Sequence, residues 1–266
     1  TDENEMGLLL TELINQLRDD HMSRHTLNLD MLRMYTQRDY DGMGRVDSSN
    51  NVSGEDYRMR MNVIGNITDT LVSRIGKNRP KPMYLTKRGD YKLRQNAKRL
   101  TDVMEGIFYQ TGIYDVMPKI FQDSCIFDMA CMKIGREGSE LFVERVFPNE
   151  MLWDQNASMY SDMPPCMHQV KSIPLETLIL QFPEREEELR YSAATDDKMS
   201  SEEGHEAEMV ECVESWHLPS TNDAEDGRHV IHMDTVILVD EEYTYTSYPF
   251  VFMNWGDSLI GFAGIS

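Results

Sequence analysis

The residues of this 266-residue sequence with the clearest potential for metal chemistry are His229 and His232. Zinc and iron sites use imidazole, thiolate and carboxylate groups that converge from a few rigid elements. Further potential ligands lie nearby in the sequence: Cys212, His217, Asp226 and Asp234. The surrounding residues predict a β-strand, however, in which side chains three positions apart point to opposite faces. We therefore expect the two imidazoles to diverge unless the strand is bulged, and we predict no metal and no other cofactor.

Other catalytic patterns are missing from the sequence. It contains no GxxxxGK[ST] loop, no GxGxxG after a strand and no GxSxG. Cys125 and Cys131 occur in apolar helical surroundings, where an inert buried thiol is expected. We predict that the protein is not an enzyme. A metal-dependent enzyme centred on His229 and His232 is the enzymatic alternative.

The charge distribution is more informative than any catalytic pattern. Residues 74–99, here called the basic island, hold ten of the 26 Lys and Arg side chains and a single acid, Asp90. The island carries about +9, so the other 240 residues carry about −29 of the net charge of −20. This segregation indicates one surface that meets a charged partner, on a body that repels polyanions.

The island predicts a contact surface, for which three explanations compete. The candidate contact residues are Arg79, Lys81, Lys87, Arg88, Arg94, Lys98 and Arg99. They could bind nucleic acid, with Tyr84 and Tyr91 available for stacking, or form an ordinary solvated surface. The acidic remainder opposes the approach of phosphates within a Debye length. Docking on a neighbour's acidic tract, such as residues 184–211 with eleven acids and three bases, therefore fits the whole sequence better.

Composition limits the cellular setting. No run of apolar residues approaches the 18 needed for a membrane span, and no secretory signal precedes the first helix. Four dispersed cysteines without a CxxC pair indicate reduced thiols in a cytosolic product. The sequence begins without Met and ends just after residues 261–264, so we expect a partial product.

Apolar residues with helical spacing predict four helices in the first half. The first covers residues 5–38, and the third is capped by Asp90 and ended by Thr111-Gly112. The fourth begins near Pro118, which suits a first-turn position. The second starts from a capping box at Ser53 and ends at Gly76. Its predicted apolar face contains Tyr57, Met61, Ile64, Thr68, Leu71 and Ile75.

Alternation of period two begins at Met132 and predicts strands for most of the remaining chain. A hairpin is expected over residues 132–134 and 141–146. Further strands are expected over residues 151–153, 167–172, 209–218, 229–233, 236–240 and 248–254. Short helices are expected near residues 175–181 and 184–190, followed by a mobile acidic loop within residues 184–211. The class is thus α+β. We predict a helical region over residues 1–131, a β-rich module over residues 132–260, and the start of another segment over residues 261–266.

Six segments in one order carry a family resemblance. They are residues 78–85 (NRPKPMYL), 121–134 (FQDSCIFDMACMKI), 143–154 (VERVFPNEMLWD), 213–219 (VESWHLP), 227–233 (GRHVIHM) and 249–255 (PFVFMNW). Together they resemble the N-terminal part of portal proteins of short-tailed bacteriophages, the head-to-tail connectors. The resemblance covers roughly residues 76–264.

This resemblance implies a structural virion protein made in the host bacterial cytoplasm. Portals are rings, typically of twelve subunits, at one capsid vertex, where they contact the major capsid protein. Double-stranded DNA is packaged and ejected through the ring, and a separate terminase ATPase drives packaging. The chain would supply the wing-like region, and no membrane is implied. Contacts with terminase and the tail adaptor would lie beyond residue 266, with the channel-lining helix and the clip. A nucleic-acid-binding module that uses residues 74–99 is the alternative.

Overall fold

The computed structural model of the protein describes residues 3–37, 62–87, 90–159, 163–195, 208–221, 224–256 and 261–262. The helices in these residues are α1 (Glu3–Asp20), α2 (Met22–Thr36), α3 (Val63–Gly76), α4 (Tyr91–Gln110), α5 (Ile113–Phe127), α6 (Leu175–Gln181) and α7 (Glu186–Thr195). The strands are β1 (Met129–Glu137), β2 (Glu140–Val146), β3 (Met151–Leu152), β4 (Cys166–Pro174), β5 (Met209–His217), β6 (Arg228–Met233), β7 (Val236–Glu242) and β8 (Phe250–Asn254). Long helices precede a β-rich region, so the predicted α+β class is confirmed.

The chain divides into two compact units. Unit 1 contains Thr1–His25, Asn149–Tyr248 and Ser258–Ala263, and unit 2 contains Thr26–Pro148, Pro249–Asp257 and Gly264–Ser266. The sequence of unit 1 has 29 acidic and 7 basic side chains, a net charge of −22. The sequence of unit 2 has 17 acidic and 19 basic side chains, a net charge of +2. Almost all of the negative charge therefore belongs to unit 1.

Unit 1 is built on an antiparallel sheet with the strand order β3-β4-β5-β6-β7. Its strands present alternate side chains to the two faces of the sheet, and other elements cover both faces. On one face the buried core contains Leu175, Leu178, Leu189, Val210 and Met233 from α6, α7, β5 and β6. On the other face Ile14 and Leu17 of α1 pack with Leu152 and Val213.

The two edges of this sheet have different characters. The first edge strand, β3, is only two residues long. The last edge strand, β7, ends in the three exposed acids Asp240, Glu241 and Glu242. Short length and exposed charge both discourage the addition of another strand.

Gly7 brings α1 close to the turn between β6 and β7. A Cβ atom at this position would overlap the Thr235 carbonyl oxygen and lie 2.8 Å from its carbonyl carbon. Thr11 lies one turn further along, and its hydroxyl donates to the Asp234 carbonyl oxygen at 2.7 Å. The helix is therefore held against the turn by backbone contact, which requires glycine here.

Unit 1 also buries several imidazoles. His168 is 4% exposed, and its Nδ1 atom lies 2.8 Å from the Ser215 hydroxyl oxygen. Burial, together with the neighbouring His232, lowers the pKa of His168 to about 4. His21 is fully buried, with Nε2 2.8 Å from the Trp153 carbonyl oxygen. Because a charged imidazole is costly in these surroundings, the rings are neutral at pH 7.

Unit 2 contains a smaller antiparallel sheet with the order β2-β1-β8. Strands β1 and β2 form the predicted hairpin, with Met132 opposite Arg145 and Ile134 opposite Val143. Strand β8 returns from far along the chain to pair with the other side of β1, with Cys131 opposite Phe252. The sequence pattern predicts each strand but not this pairing.

An ion pair with a buried carboxylate joins α5 to the hairpin. Two of the guanidinium nitrogens of Arg145, Nε and Nη2, donate to the carboxylate of Asp123, each at 2.5 Å. The Asp123 side chain is 1% exposed, whereas that of Arg145 is 43% exposed. Burial raises the pKa of Asp123, and the bonds from Arg145 oppose that rise.

Replacing Arg145 is expected to destabilise unit 2. Arg145→Met would leave a buried carboxylate without its partner, which costs about 2 kcal/mol of unfolding free energy. Urea unfolding at pH 7 measures this cost. Arg136→Met is the matched control, since Arg136 is exposed on the same hairpin and donates to the Gly138 carbonyl oxygen. Equal stability of the two variants would contradict the pairing.

The helices agree with the sequence predictions in part. Asp90 caps α4 by accepting from the Tyr91 amide, and Thr111 ends it, as predicted. The single helix expected over residues 5–38 is instead two helices that meet at His21. The fourth helix begins at Ile113, after Gly112 with φ of 64°, so Pro118 lies inside it and the predicted start is wrong.

The second predicted helix differs most from the structure. Helix α3 is capped by Asn62, whose side chain accepts from the Gly65 amide, while the proposed capping box at Ser53 lies outside the described residues. Thr68 is buried as predicted, but Ile64, Leu71 and Ile75 are exposed. Likewise, the central part of the acidic tract, residues 196–207, lies outside the described residues.

Candidate interaction surface

The basic island is built from the end of α3, the arm of residues 78–87 and the first half of α4. The arm has neither helix nor strand, as Pro80 and Pro82 require. It is fixed to α4 by an ion pair between Lys81 and Glu105 at 2.5 Å and by the Tyr84 amide, which donates to Thr101 Oγ1 at 3.3 Å. The arm therefore lies along one side of α4.

Six of the seven candidate contact residues lie on the arm or on α4. Arg79 lies over the Tyr114 ring, 5.6 Å from its centroid. The hydrogen bond with Glu105 raises the pKa of Lys81, so this ammonium is charged. The remaining four described cations are exposed and form no ion pair with any residue that the structure describes: Lys87, Arg94, Lys98 and Arg99. Arg88 lies outside the described residues.

Apolar side chains are exposed among these cations. On the arm, Met83 and Leu85 are largely exposed, and on α4 the same holds for Leu93 and Leu100. Tyr84 and Tyr91, the aromatic residues considered for stacking, are also exposed. Clustered apolar exposure of this kind is typical of interaction sites, so this surface is a candidate for one. The surface can bind an acidic and partly apolar partner, or it can neutralise phosphates.

The structure does not place His229 and His232 as ligands of one metal ion. His229 Nε2 lies 3.0 Å from Glu214 and Nδ1 lies 2.7 Å from Glu241. Burial lowers the pKa of His229, but its bonds to the two carboxylates outweigh this and raise it. His232 Nδ1 instead lies 3.0 Å from the Asp234 carbonyl oxygen.

The strand does contain a bulge, between Ile231 and His232. The imidazoles still diverge, because His229 pairs with Trp216 and His232 with Val213, which lie on opposite faces of β5. Across the described residues, no three His, Cys, Asp or Glu side chains are placed to hold a metal ion.

The thiols show no activation. Cys131 and Cys212 are buried. Burial raises the pKa of Cys125 and of Cys166, and a nucleophilic thiol needs the opposite shift.

Sequence reasoning missed a cluster of one guanidinium and two imidazoles at the start of α2. The Arg24 guanidinium lies 4.3 Å from the centroid of the Trp153 ring, and His21 meets the same ring edge-on. Burial lowers the pKa of Arg24 to about 10 and that of His25 to about 4. The spacing of His21, Arg24 and His25, which places them on one helix face, was the available signal.

The structure is that of an α+β protein with an exposed basic and apolar surface as its candidate interaction site. The family model of phage P22-like portal proteins matches residues 44–258, about four-fifths of the chain. The chain therefore belongs to the family of phage P22-like portal proteins. It is a structural component of a bacteriophage virion, and the resemblance seen in the sequence is confirmed for phage portal proteins.

A search of curated proteins found no match. Among the described residues, no helix has both the length and the apolarity to cross a membrane.

Proposed function

We propose that this protein is a subunit of a closed ring at one capsid vertex of a short-tailed phage. Double-stranded DNA is packaged and ejected through this ring, and the chain itself has no catalytic role. Family membership over residues 44–258 is the observation that carries the proposal. Twelve subunits, synthesis in the host bacterial cytoplasm, and contacts with the major capsid protein, terminase and tail adaptor belong to the same proposal.

The division of charge supports a DNA conduit. A protein that neutralises phosphates binds DNA tightly and in a salt-dependent manner. Unit 1, with a net charge of −22, repels a phosphate backbone instead and favours movement of the DNA past it. The β-rich module over residues 132–260 is proposed to be wing-like, beside the helical region over residues 1–131.

The basic island is proposed to contact the neighbouring subunit. A ring requires two different and complementary surfaces on each subunit. Exposed cations on the arm and α4 provide one of them, and the acids of unit 1 provide the other. The residues assigned to this contact are Arg79, Lys81, Lys87, Arg88, Arg94, Lys98 and Arg99.

Electron microscopy of the complete gene product tests the ring. We expect annular particles, whereas solitary particles under conditions in which virions mature would contradict the proposal. The triple variant Arg94→Glu, Lys98→Glu, Arg99→Glu should raise the protein concentration for half-assembly roughly tenfold at low salt. The difference should shrink at high salt because the charges are exposed.

Lys119→Glu is the matched control for this charge reversal. Lys119 is an exposed base of α5 outside the island, so its reversal should leave assembly unchanged. Equal assembly of the triple variant and the control at low salt would refute the role of the island.

A nucleic-acid-binding module is the second candidate function. Exposed Tyr84 and Tyr91 beside the cations of α4 favour it, since bases stack on such rings. Binding of the purified protein to random-sequence DNA distinguishes the two functions. Tight binding that weakens steeply with salt would favour the module, and weak binding would favour the ring subunit.

A further inference from the structure

We propose that the outer face of α1 in one copy of the protein docks on the outer stripe of α4 in a second copy. The inference rests on the proposed ring and names the two surfaces that meet in it. One surface belongs to unit 1 and is acidic and apolar. The other belongs to unit 2 and is basic and apolar.

The outer stripe of α4 combines apolar and basic side chains. Leu93, Leu100 and Val103 are 54%, 51% and 58% exposed. Their spacing of seven and three residues puts them on one side of the helix. Lys92 and Arg99 each precede a leucine of the stripe, are exposed, and form no ion pair with a described residue. The stripe thus has an apolar centre with two available cations along its border.

The outer face of α1 has the opposite charge. Leu9 and Leu13, four residues apart, are 57% and 40% exposed and form a ridge on the helix. Glu5 and Glu12 are exposed beside that ridge and form no ion pair with any residue in the described ranges. The buried side of α1 packs on the sheet of unit 1, so this outer face is available to a partner.

The spacing of the charges matches. Glu5 and Glu12 are seven residues apart, as are Lys92 and Arg99. With a rise of 1.5 Å per residue, each pair is separated by about 10.5 Å along its helix. Two helices that pack side by side can therefore form two ion pairs around a shared leucine contact.

The acidic face of α1 fits the stripe better than Glu186 and Glu188 of α7 do. Glu186 already binds Arg190 at 3.0 Å, and Glu188 binds Arg185 at 2.9 Å. These acids are neutralised within their own segment, whereas Glu5 and Glu12 are not. The two docking faces are different surfaces of the same chain, so the contact is head-to-tail and can close into a ring.

An exchange of charges tests the pairing in the complete gene product. Glu5→Lys with Glu12→Lys, and separately Lys92→Glu with Arg99→Glu, should each raise the concentration for half-assembly about tenfold. The protein that carries all four changes should assemble at close to the native concentration. Mass photometry over a concentration series measures this, and circular dichroism identifies any variant that does not fold. Failure of the fourfold variant to recover would overturn the inference.

Cross-linking gives a second and independent measurement. Leu9→Cys combined with Leu100→Cys should yield a ladder of covalent oligomers after mild oxidation. Leu180→Cys with Leu100→Cys is the matched control, since Leu180 is an 81% exposed leucine on α6 of unit 1. A ladder in the control, or a cross-link confined to the monomer, would contradict docking between copies. Native rings that are unaffected by the charge reversals would refute only this contact, whereas a native protein without rings would refute the proposed function.

Discussion

Gly7→Ala is expected to destabilise unit 1 by about 2 kcal/mol, although alanine is the better helix former. The intrinsic preference for alanine over glycine in a helix is worth about 1 kcal/mol in the opposite direction. The steric effect wins because the added methyl group would overlap the backbone carbonyl of Thr235. Backbone cannot rotate away as a side chain can, so α1 must move off the turn that also receives the Thr11 hydrogen bond.

Tryptophan fluorescence during urea unfolding measures this effect, because two of the three tryptophans, Trp153 and Trp216, belong to unit 1. Gly106→Ala is the matched control. Gly106 lies within α4, and a Cβ atom there would meet nothing within 4 Å. We expect the control to gain up to about 1 kcal/mol. A gain for Gly7→Ala as well would show that α1 does not pack on the turn.

Acid is expected to unfold unit 1 through its buried histidines. The pKa of His168 is about 4, whereas it is about 6.5 in an unfolded chain. As the pH falls from 6.5 to 4, the unfolded state binds a proton that the folded state does not. Stability is therefore complete above pH 6.5 and is lost below it, by about 3 kcal/mol for this one residue.

The other histidines of unit 1 with a lowered pKa also reduce stability as the pH falls. Burial lowers the pKa of His21, His25 and His232, and the Arg24 guanidinium adds positive charge beside His21 and His25. The acid-induced loss is therefore shared among several imidazoles. Thermal melts between pH 7 and pH 4 measure it.

His168→Asn should reduce the loss between pH 6.5 and pH 4. His229→Gln is the control, since the two carboxylates raise the pKa of His229 and its stabilising effect is lost on the alkaline side instead. An unchanged pH profile for His168→Asn would contradict a neutral, buried imidazole at that position.

Local signals in the sequence predicted much of the secondary structure. Asp90 and Thr111 set the ends of α4 because capping depends on a few neighbouring residues. The β-hairpin was predictable for the same reason, since alternation and a glycine-containing turn act over a dozen residues. The start of α5 was not predicted, because Gly112 adopts a left-handed conformation that ends one helix and permits the next at once.

The sequence pattern did not predict contacts between residues that are far apart in the chain. The burial of Asp123 depends on Arg145, and the pairing of β1 with β8 joins residues more than a hundred positions apart. The exposed Ile64, Leu71 and Ile75 of α3 show the same limit, since their apolar spacing predicts a buried face. At the candidate interaction surface, the cations that the structure describes are exposed. Their role in assembly stays a prediction.

The edges of the sheet in unit 1 have a consequence for how copies of this protein recognise each other. A two-residue strand at one side and three carboxylates at the other both discourage the addition of a foreign strand to this sheet. At the sheet of unit 1, recognition between copies is therefore expected to use side chains rather than added strands, which keeps the contact reversible.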